Sequence, residues 1–427
     1  MMFFIMRKIS FLMSLALGIF CLSTTVSCTE SDDDSPKKVV NMLPQTRAMN
    51  LSKVQKAMID DNNAFSFNLL QKVVETDGYG KSAFVSPIGV TNVLGMVQEG
   101  CNDEAQREIS QVLGFWGKGK SQINGWCQAL REQAPMIDPQ VHLSINNVVF
   151  MHEGYHAKDS YTKNLEKYYG ASCVGLDFSS PSALSTINGW CKEHTDGMIP
   201  SMVTNLKSID VCYVLNAVFF DGKWRNKFDK DDTQTELFTS EDGEQHEVGM
   251  MHNQAVVNCL SDSDVSMVEL PYGSGRPWEM IVALPQEGKT LADILPLMHD
   301  KLASMRDSFG TRQLDIKLPK FKLSVRNELK GVLQSMGVKR VSSDQEPSMT
   351  EMVDNFDGLR IESLLQGASI DVDEEGSKAQ AVTVSEIISD IVNVYETGVF
   401  HANRPFVFFI VESNTNAVFF AGTYTGK

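Results

Sequence analysis

One run of residues has the spacing of a catalytic motif: His152-Glu153-Gly154-Tyr155-His156. It fits HExxH, in which two histidines on one face of a helix bind zinc and the glutamate acts as general base. In this chain the motif directly follows a predicted strand, and a glycine stands inside it. We therefore place it in a strand-to-helix turn, where the two imidazole rings need not converge. A zinc peptidase built on His152 and His156 is kept as the third hypothesis.

Other sequence motifs that are typical of enzymes are missing from the chain. The chain has no G-x-S-x-G elbow, no P-loop and no dinucleotide fingerprint. Six cysteines beyond residue 28 are widely and irregularly spaced, and none forms CxxC, so we expect isolated buried thiols and no metal or cofactor. They are Cys101, Cys127, Cys173, Cys191, Cys212 and Cys259.

Charge limits the range of partners. The 427 residues contain 38 Lys and Arg against 54 Asp and Glu, a net charge of −16. This balance argues against nucleic acid, heparin-like polyanions and anionic membrane surfaces as main partners.

The N-terminus reads as a targeting segment. Arg7-Lys8 precede the weakly apolar run from Ile9 to Val26, which is short for a transmembrane anchor. The segment resembles a bacterial lipoprotein signal, which implies a signal peptide at 1–27, a lipid at Cys28 and a polar tether at 28–48. Ser31-Asp32-Asp33-Asp34 resembles the acidic export signal of Bacteroidetes surface lipoproteins, although a plain solvated linker fits it equally well. We expect an exported protein anchored by lipid to the outer membrane and exposed at the cell surface, or else an extracellular one.

Helical patterns concentrate early in the remaining chain and strand patterns late, which predicts an α+β fold without βαβ repeats. The elements are organised around the stretch from Asp371 to Phe406. It begins as an alternating strand and holds no proline until Pro405. Polar residues then break any continuous apolar face, so the stretch looks able to pair and yet is predicted to be exposed.

Several motifs, in order, resemble those of the serpin family. The resemblance extends over residues 49–427, read as one domain. Its signatures are Phe84-Val85-Ser86-Pro87-Ile88, Leu215 to Phe220 with Gly222-Lys223-Trp224, Glu269-Leu270-Pro271-Tyr272, Leu318-Pro319-Lys320-Phe321 and the run Phe400 to Ile410.

The resemblance implies three β-sheets, eight or nine helices, a reactive-centre loop and a monomer. It also implies an irreversible suicide inhibitor of serine endopeptidases, with cysteine endopeptidases as a second target class. The target protease attacks the loop and becomes a covalent acyl-enzyme, and the cut loop then inserts as a new strand into the central sheet. A non-inhibitory serpin that acts as a surface binding module is the alternative.

The loop's first part is similar to the family's hinge. Glu374, Glu375, Gly376, Ser377 and Ala379 match it, whereas Lys378, Gln380 and Val382 depart from the usual choices. An inserting strand needs every backbone N–H and a face of small side chains. Counting in twos from Ser377 gives such a face, made of Ser377, Ala379, Ala381, Thr383 and Ser385.

Supporting positions carry over from the family residue by residue. Lys320 and Glu374 match an ion pair where the loop enters the sheet, and Trp224 matches the aromatic residue beneath it. Ser86 and Asn216 match polar positions near the centre of the sheet. Two residues depart there, since Gly89 replaces the usual Ser and Gln366 the usual His. Because Gln can donate and accept, we expect a retained network without a titrating member.

Two ways of counting place the scissile bond differently. The family distance from Gly376 puts it after Asp390, before Ile391, as suits proteases that cut after aspartate. Counting back from Pro405 puts it after Asn393 or between Val394 and Tyr395, as suits elastase-like, subtilisin-like or chymotrypsin-like enzymes.

Overall fold

The computed structural model describes residues 46–195, 197–343, 348–354, 359–377 and 395–427. Within these ranges no helix combines the length and the apolar character needed to cross a membrane.

The helices begin at side-chain caps where the sequence supplies them. Ser52 and Gln55 form a reciprocal capping box on α1, Ser86 caps α2 with Pro87 in its first turn, and Asn102 caps α3. The helices are α1 (Lys53–Asp77), α2 (Pro87–Glu99), α3 (Asp103–Val112), α4 (Lys120–Gln133), α5 (Asp159–Asn164), α6 (Pro181–His194), α7 (Leu291–Ile294), α8 (Met298–Ser308) and α9 (Lys330–Met336).

The strands lie mostly in the second half of the chain. They are β1 (Ala83–Val85), β2 (Val141–His152), β3 (Ser172–Leu176), β4 (Cys212–Lys223), β5 (Gln234–Thr239), β6 (Gln245–Ser261), β7 (Val265–Tyr272), β8 (Trp278–Pro285), β9 (Gly310–Pro319), β10 (Phe321–Glu328), β11 (Ser363–Asp373), β12 (Gly376–Ser377), β13 (Thr397–His401), β14 (Phe406–Glu412) and β15 (Ala417–Tyr424).

A six-stranded sheet holds the functional part, in the order β10-β11-β12-β4-β2-β3. Its two central strands run parallel, with Ser363–Ser369 of β11 opposite Tyr213–Phe219 of β4. After Ser369 and Phe219, β11 and β4 no longer pair with each other, and the short strand β12 lies between them.

A nine-stranded sheet contains the rest, in the order β1-β15-β14-β8-β7-β6-β9-β13, with β5 on β6. The α+β class is confirmed, but the described strands join into two hydrogen-bonded sheets where the resemblance implied three. The cause is β6, whose 17 residues pair with β5, β9 and β7 in turn. One long strand thereby makes two of the expected sheets continuous.

Helix α2 lies between the two sheets, against β4 and β15, and every residue in it is buried. The C-terminal strands supply much of the core, since every residue of β14 and β15 is buried. Aromatic rings tie the layers together, as where Phe84 stacks on Phe420 with the ring centroids 5.4 Å apart. Residues 43–427 form one compact unit, so the six-stranded sheet rests on a packed support.

Candidate functional site: the hinge of the six-stranded sheet

The HExxH run lies in a turn, as predicted. His152 ends β2, Glu153 and Gly154 form the turn, and α5 does not begin until Asp159. The His152 Nδ1 atom accepts a hydrogen bond from the backbone N–H of Gly154 at 3.0 Å. His152 and His156 therefore do not share a helical face, and the geometry of a zinc peptidase is missing.

The six cysteines beyond residue 28 are free thiols. Four of them are buried, and burial raises the pKa of Cys101 and of Cys127 to about 12. A thiol with that pKa is protonated at neutral pH and is a poor nucleophile. The prediction of isolated thiols is confirmed, and those two have the protonation state of packing residues.

The hinge reverses direction at the end of β11. Glu374 and Glu375 form a two-residue turn, after which Gly376 and Ser377 fold back antiparallel to β11, with Val372 opposite Ser377. The same two residues pair with Lys223 and Gly222 of β4. The first residues of the predicted loop thus already occupy the place of a strand inside the sheet, although the sequence pattern predicted an exposed continuation.

Gly376 is required at this reversal. Its φ is +149°, a conformation that side-chain-bearing residues rarely adopt. A Cβ atom there would lie 2.1 Å from the carbonyl oxygen of Gly222 and 2.7 Å from the Cα of Lys223. Only a residue without a side chain lets the hinge approach β4 this closely.

Ser377 anchors the inserted end. Its side chain is fully buried, and its Oγ lies 2.7 Å from the hydroxyl of Tyr272. Tyr272 stacks in turn on Trp224, with ring centroids 4.3 Å apart, and the Trp224 indole N–H donates to the carbonyl of Asp373 at 2.8 Å. The small residue therefore fits over an aromatic pair that also holds the end of β11.

Glu374 lies inside the turn and pairs with Lys320. The shortest distance from Lys320 Nζ to the Glu374 carboxylate is 2.8 Å, and the Thr233 hydroxyl donates to the same carboxylate at 2.8 Å. Burial raises the pKa of Glu374, but hydrogen bonds from Lys320, from the backbone and from Thr233 outweigh it, and the pKa lies below its ordinary value of 4.5. With Lys320 well exposed, the pair contributes only ~1 kcal/mol.

Glu375 turns the other way, toward two lysines. Lys227 Nζ lies 2.6 Å from one carboxylate oxygen and Lys230 Nζ 3.3 Å from the other. The hydrogen bond from Lys227 is the main reason that the pKa of Glu375 is lowered. Since a lowered carboxyl pKa means that the unfolded state binds more protons, these contacts stabilise the hinge above about pH 4.5 and weaken as the pH falls further.

Replacing Gly376 by alanine is expected to drive β12 out of the sheet, because the added Cβ would overlap the backbone of β4. The amide of Trp224, which donates to the Glu375 carbonyl at 2.9 Å, should then exchange its hydrogen faster, by about tenfold or more. Hydrogen exchange measures this directly. Gly331→Ala is the matched control, since nothing lies within 4 Å of a Cβ at that position in α9. Unchanged exchange at Trp224 in Gly376→Ala would contradict the account of the hinge.

A polar network crosses the centre of the sheet beneath the hinge. The Gln366 side-chain N–H group donates to the Ser86 carbonyl at 2.8 Å and to Asn216 Oδ1 at 3.0 Å, and its oxygen accepts from the Ser86 N–H at 2.9 Å. Asn216 also donates to Asn147 Oδ1 at 2.9 Å. Gln366 and Asn216 are fully buried. The network is formed by amides and a backbone peptide, without a titratable side chain among these partners.

Gly89 leaves the space that this network occupies. A Cβ at residue 89 would lie 2.2 Å from Asn216 Oδ1 and 2.6 Å from Gln366 Nε2. The two departures from the family pattern therefore adjoin each other, and the missing side chain at Gly89 leaves room for the amide of Gln366.

The site residues predicted from the sequence fall into two groups, those that the structure describes and those outside the described ranges. Glu374, Glu375, Gly376, Ser377, Lys320, Trp224, Asn216, Ser86 and Gln366 belong to the hinge and network described above. Tyr395 is partly buried and adjoins Glu396, whose carbonyl accepts from the Gln313 N–H at 3.0 Å. Outside the described residues lie Cys28, Ala379, Ala381, Thr383, Asp390, Ile391, Asn393 and Val394.

Several hinge contacts were not predicted. Tyr272 stood in a signature run without an assigned role, while Thr233, Lys227 and Lys230 carried no sequence signal that linked them to residues almost 150 positions away. The doublet Glu374-Glu375 followed by Gly376 was the one available hint of a turn, since glycine often follows where a chain reverses.

Comparison with known proteins gives one consistent answer. The model of the Serpin (serine protease inhibitor) family matches residues 60–426. A serpin-like protein of Thermococcus kodakarensis is 27% identical over 91% of this chain and 90% of its own length. Serpin B3 of Homo sapiens is 29% identical over 86% of this chain and 99% of its own length.

Solved structures agree on the fold. The thermophilic serpin tengpin in its native state has a TM-score of 0.78 at 22% identity, covering 90% of this chain and 97% of that one. Thyroxine-binding globulin in complex with thyroxine has a TM-score of 0.77 at 22% identity, covering 88% and 99%. Since the family model spans most of the sequence and the central sheet has its hinge in place, this protein belongs to the serpin family.

Proposed function

We propose that the protein is an irreversible inhibitor of serine endopeptidases, with cysteine endopeptidases as a second class. The observation that carries the proposal is β12: Gly376 and Ser377 already pair with both β11 and β4. The sheet thus accepts the start of the loop at a site where each backbone group finds a partner. Cleavage further along the loop would free the following residues to continue the same strand, which would carry the acylated protease with it.

Incubation with a panel of serine and cysteine proteases, followed by denaturing electrophoresis, tests this proposal. An inhibitor gives a covalent complex that survives denaturation, because the acyl bond persists. Clean cleavage of the loop by every protease, without such a complex, would instead support the non-inhibitory binding module. The departures Lys378, Gln380 and Val382 are the sequence feature behind that alternative, but by strand periodicity they lie on the face opposite Ser377, so we expect trapping to survive them.

Within the loop we favour cleavage between Asp390 and Ile391. The Glu396 carbonyl is already hydrogen-bonded to β9, through the N–H of Gln313. A bond between Val394 and Tyr395 would leave a single residue before that anchored backbone, and a protease needs several extended residues on each side of the bond it cuts. The new N-terminus of the released fragment decides the question. Ile391 supports this assignment, whereas Val394 or Tyr395 overturns it.

We further propose that Cys28 is lipidated and holds the protein at the cell surface, as the lipoprotein-like segment before it indicates. Replacing Cys28 by serine should release the protein from the membrane fraction of a bacterial host that processes lipoproteins, because the thioether link needs sulfur. Cys21→Ser is the control, and that variant should remain in the membrane fraction. If Cys28→Ser stays there too, the anchor lies elsewhere.

A further inference from the structure

A basic cleft adjoins the hinge. It has a volume of about 500 Å³, and the residues that line it include the cationic Arg225, Lys227 and Arg276 and the amides Asn226 and Gln254. None of the described residues that line it is an Asp or a Glu. The chain has a net charge of −16, whereas the charged residues described in the lining of this cleft are all cations.

The walls of the basic cleft are held in place by hydrogen bonds. The Arg225 N–H donates to the Pro271 carbonyl at 2.9 Å, and its guanidinium donates to the carbonyl of Ser274. The Asn253 side chain donates to the Lys227 carbonyl at 3.0 Å. The backbone that carries two of the three cations is therefore ordered before any ligand arrives, which lowers the cost of binding.

Arg276 enters the cleft from a turn between β7 and β8. Its φ is +58°, in the left-handed region where a residue other than glycine is uncommon, and its carbonyl accepts from the Ser413 hydroxyl at 2.8 Å. Holding an arginine in a costly conformation suggests a use for its side chain. A guanidinium carried on this held backbone suits an oxyanion, which it can bind through two parallel N–H groups.

Lys227 belongs to the basic cleft and to the hinge at once. It lines the cleft, and its Nζ lies 2.6 Å from the Glu375 carboxylate. An anion that draws this ammonium group into the cleft weakens its bond to Glu375. Lys230, at 3.3 Å, would then be the remaining cation on that carboxylate among the described residues.

We propose that the basic cleft binds a small oxyanion of two or more charges, of the phosphate-ester or polyphosphate class, and that the bound anion loosens the inserted hinge by competing with Glu375 for Lys227. Binding and loosening are both properties of the unreacted protein. Only an effect on protease trapping would rest on the proposed inhibitory function. Calorimetry and hydrogen exchange measure binding and loosening without any protease.

Calorimetric titration with tripolyphosphate tests the binding step, with sulfate at matched ionic strength as the second arm. We expect tripolyphosphate to bind with one-to-one stoichiometry. Arg276→Asn should weaken the affinity about tenfold, because it removes a charged guanidinium that can donate two parallel hydrogen bonds. Asparagine is chosen because it tolerates the left-handed backbone conformation. Lys72→Gln, which removes a lysine outside the cleft that pairs with Glu75 on α1, should leave the affinity unchanged. Tighter binding of sulfate than of tripolyphosphate would overturn the assignment to phosphate chemistry.

If the anion and Glu375 compete for Lys227, removing the charge of Glu375 should strengthen anion binding. Glu375→Gln frees Lys227 from its partner, so this protein should bind tripolyphosphate more tightly, by about threefold or more, and should show a loosened hinge without the anion. Hydrogen exchange at the Trp224 amide reports the hinge. In the wild-type protein that exchange should speed up when tripolyphosphate saturates the cleft.

Three further results would each overturn the proposal. The first is no binding by the wild-type protein. The second is an equal loss of affinity in Lys72→Gln and Arg276→Asn, which would mean general charge attraction. The third is saturation of the cleft without any change in exchange at Trp224, which would separate the site from the hinge.

Discussion

Under the proposed inhibitory function, replacing Ala381 by arginine is expected to turn an inhibitor that traps its protease into a substrate that is cut and released. The face of the loop that enters the sheet is fixed by Ser377, whose side chain is buried against Tyr272. Counting in twos from Ser377 places Ala381 on the same face. Ala381 itself lies outside the described residues, so the assignment rests on strand periodicity.

The expected effect is large because an arginine on that face would have to enter a packed interior without a partner. Burial of an unpaired charge costs several kcal/mol, enough to slow insertion well below the rate at which the acyl-enzyme is hydrolysed. The fraction of cleavage events that end in a denaturation-resistant complex should fall about tenfold or more. Electrophoresis of reactions at several molar ratios measures it.

Gln380→Arg is the matched control. It adds the same side chain one residue earlier, on the opposite face of the strand by the same periodicity, so trapping should persist. If Gln380→Arg abolishes trapping and Ala381→Arg does not, the inserted face has been assigned the wrong way round.

Replacing Gly89 by serine is expected to destabilise the native protein, whereas the double variant Gly89→Ser/Gln366→His should recover much of the loss. The new Cβ would meet Asn216 Oδ1 at 2.2 Å and Gln366 Nε2 at 2.6 Å in a fully buried network. Overpacking of this kind typically costs about 1–3 kcal/mol. Histidine reaches less far than glutamine, so it gives back part of the space.

A double-mutant cycle on the urea midpoint of native-state unfolding, at a fixed incubation time, measures the coupling between residues 89 and 366. We expect an interaction of about 1 kcal/mol or more, since the two positions are in contact. Gly125→Ser should change little, because nothing lies within 4 Å of a Cβ there. Additive effects of the two substitutions would show that Gly89 and Gln366 do not compensate each other.

The histidine variants should also acquire a pH dependence that the wild-type protein lacks. A buried histidine among neutral amides has a pKa below that of the unfolded chain, about 6.5, so the unfolded state binds more protons. Stability relative to wild type should therefore fall as the pH drops below about 6.5. A wild-type midpoint that itself moves near pH 6 would contradict the reading of Gln366 as a non-titrating member of the network.

Much of the fold could be read from the sequence, because it depends on local chemistry. The runs that become β14 and β15 are mostly apolar, and both strands are wholly buried. The caps of α1 and α2 stand at Ser52 and Ser86, directly before helical patterns. The ordered signatures gave the family, and with it the pairing of Lys320 with Glu374.

The merging of two expected sheets could not be read in this way. A sequence shows where a long strand such as β6 runs, but not which neighbours its two ends will meet. Those partners, β9 and β7, are chosen by packing across the whole domain.

The hinge shows most clearly which features the sequence specifies and which depend on the tertiary structure. The sequence by itself determined that Gly376 is conformationally free and that Ser377 begins a face of small residues. Only the tertiary structure decided that the chain reverses at Glu374 and Glu375 and that Gly376 and Ser377 already lie between β11 and β4. The reason is physical: the gap that Gly376 and Ser377 fill is formed by strands whose paired residues are 150 positions apart in the chain, and its fit depends on the backbone of Gly222 and the hydroxyl of Tyr272.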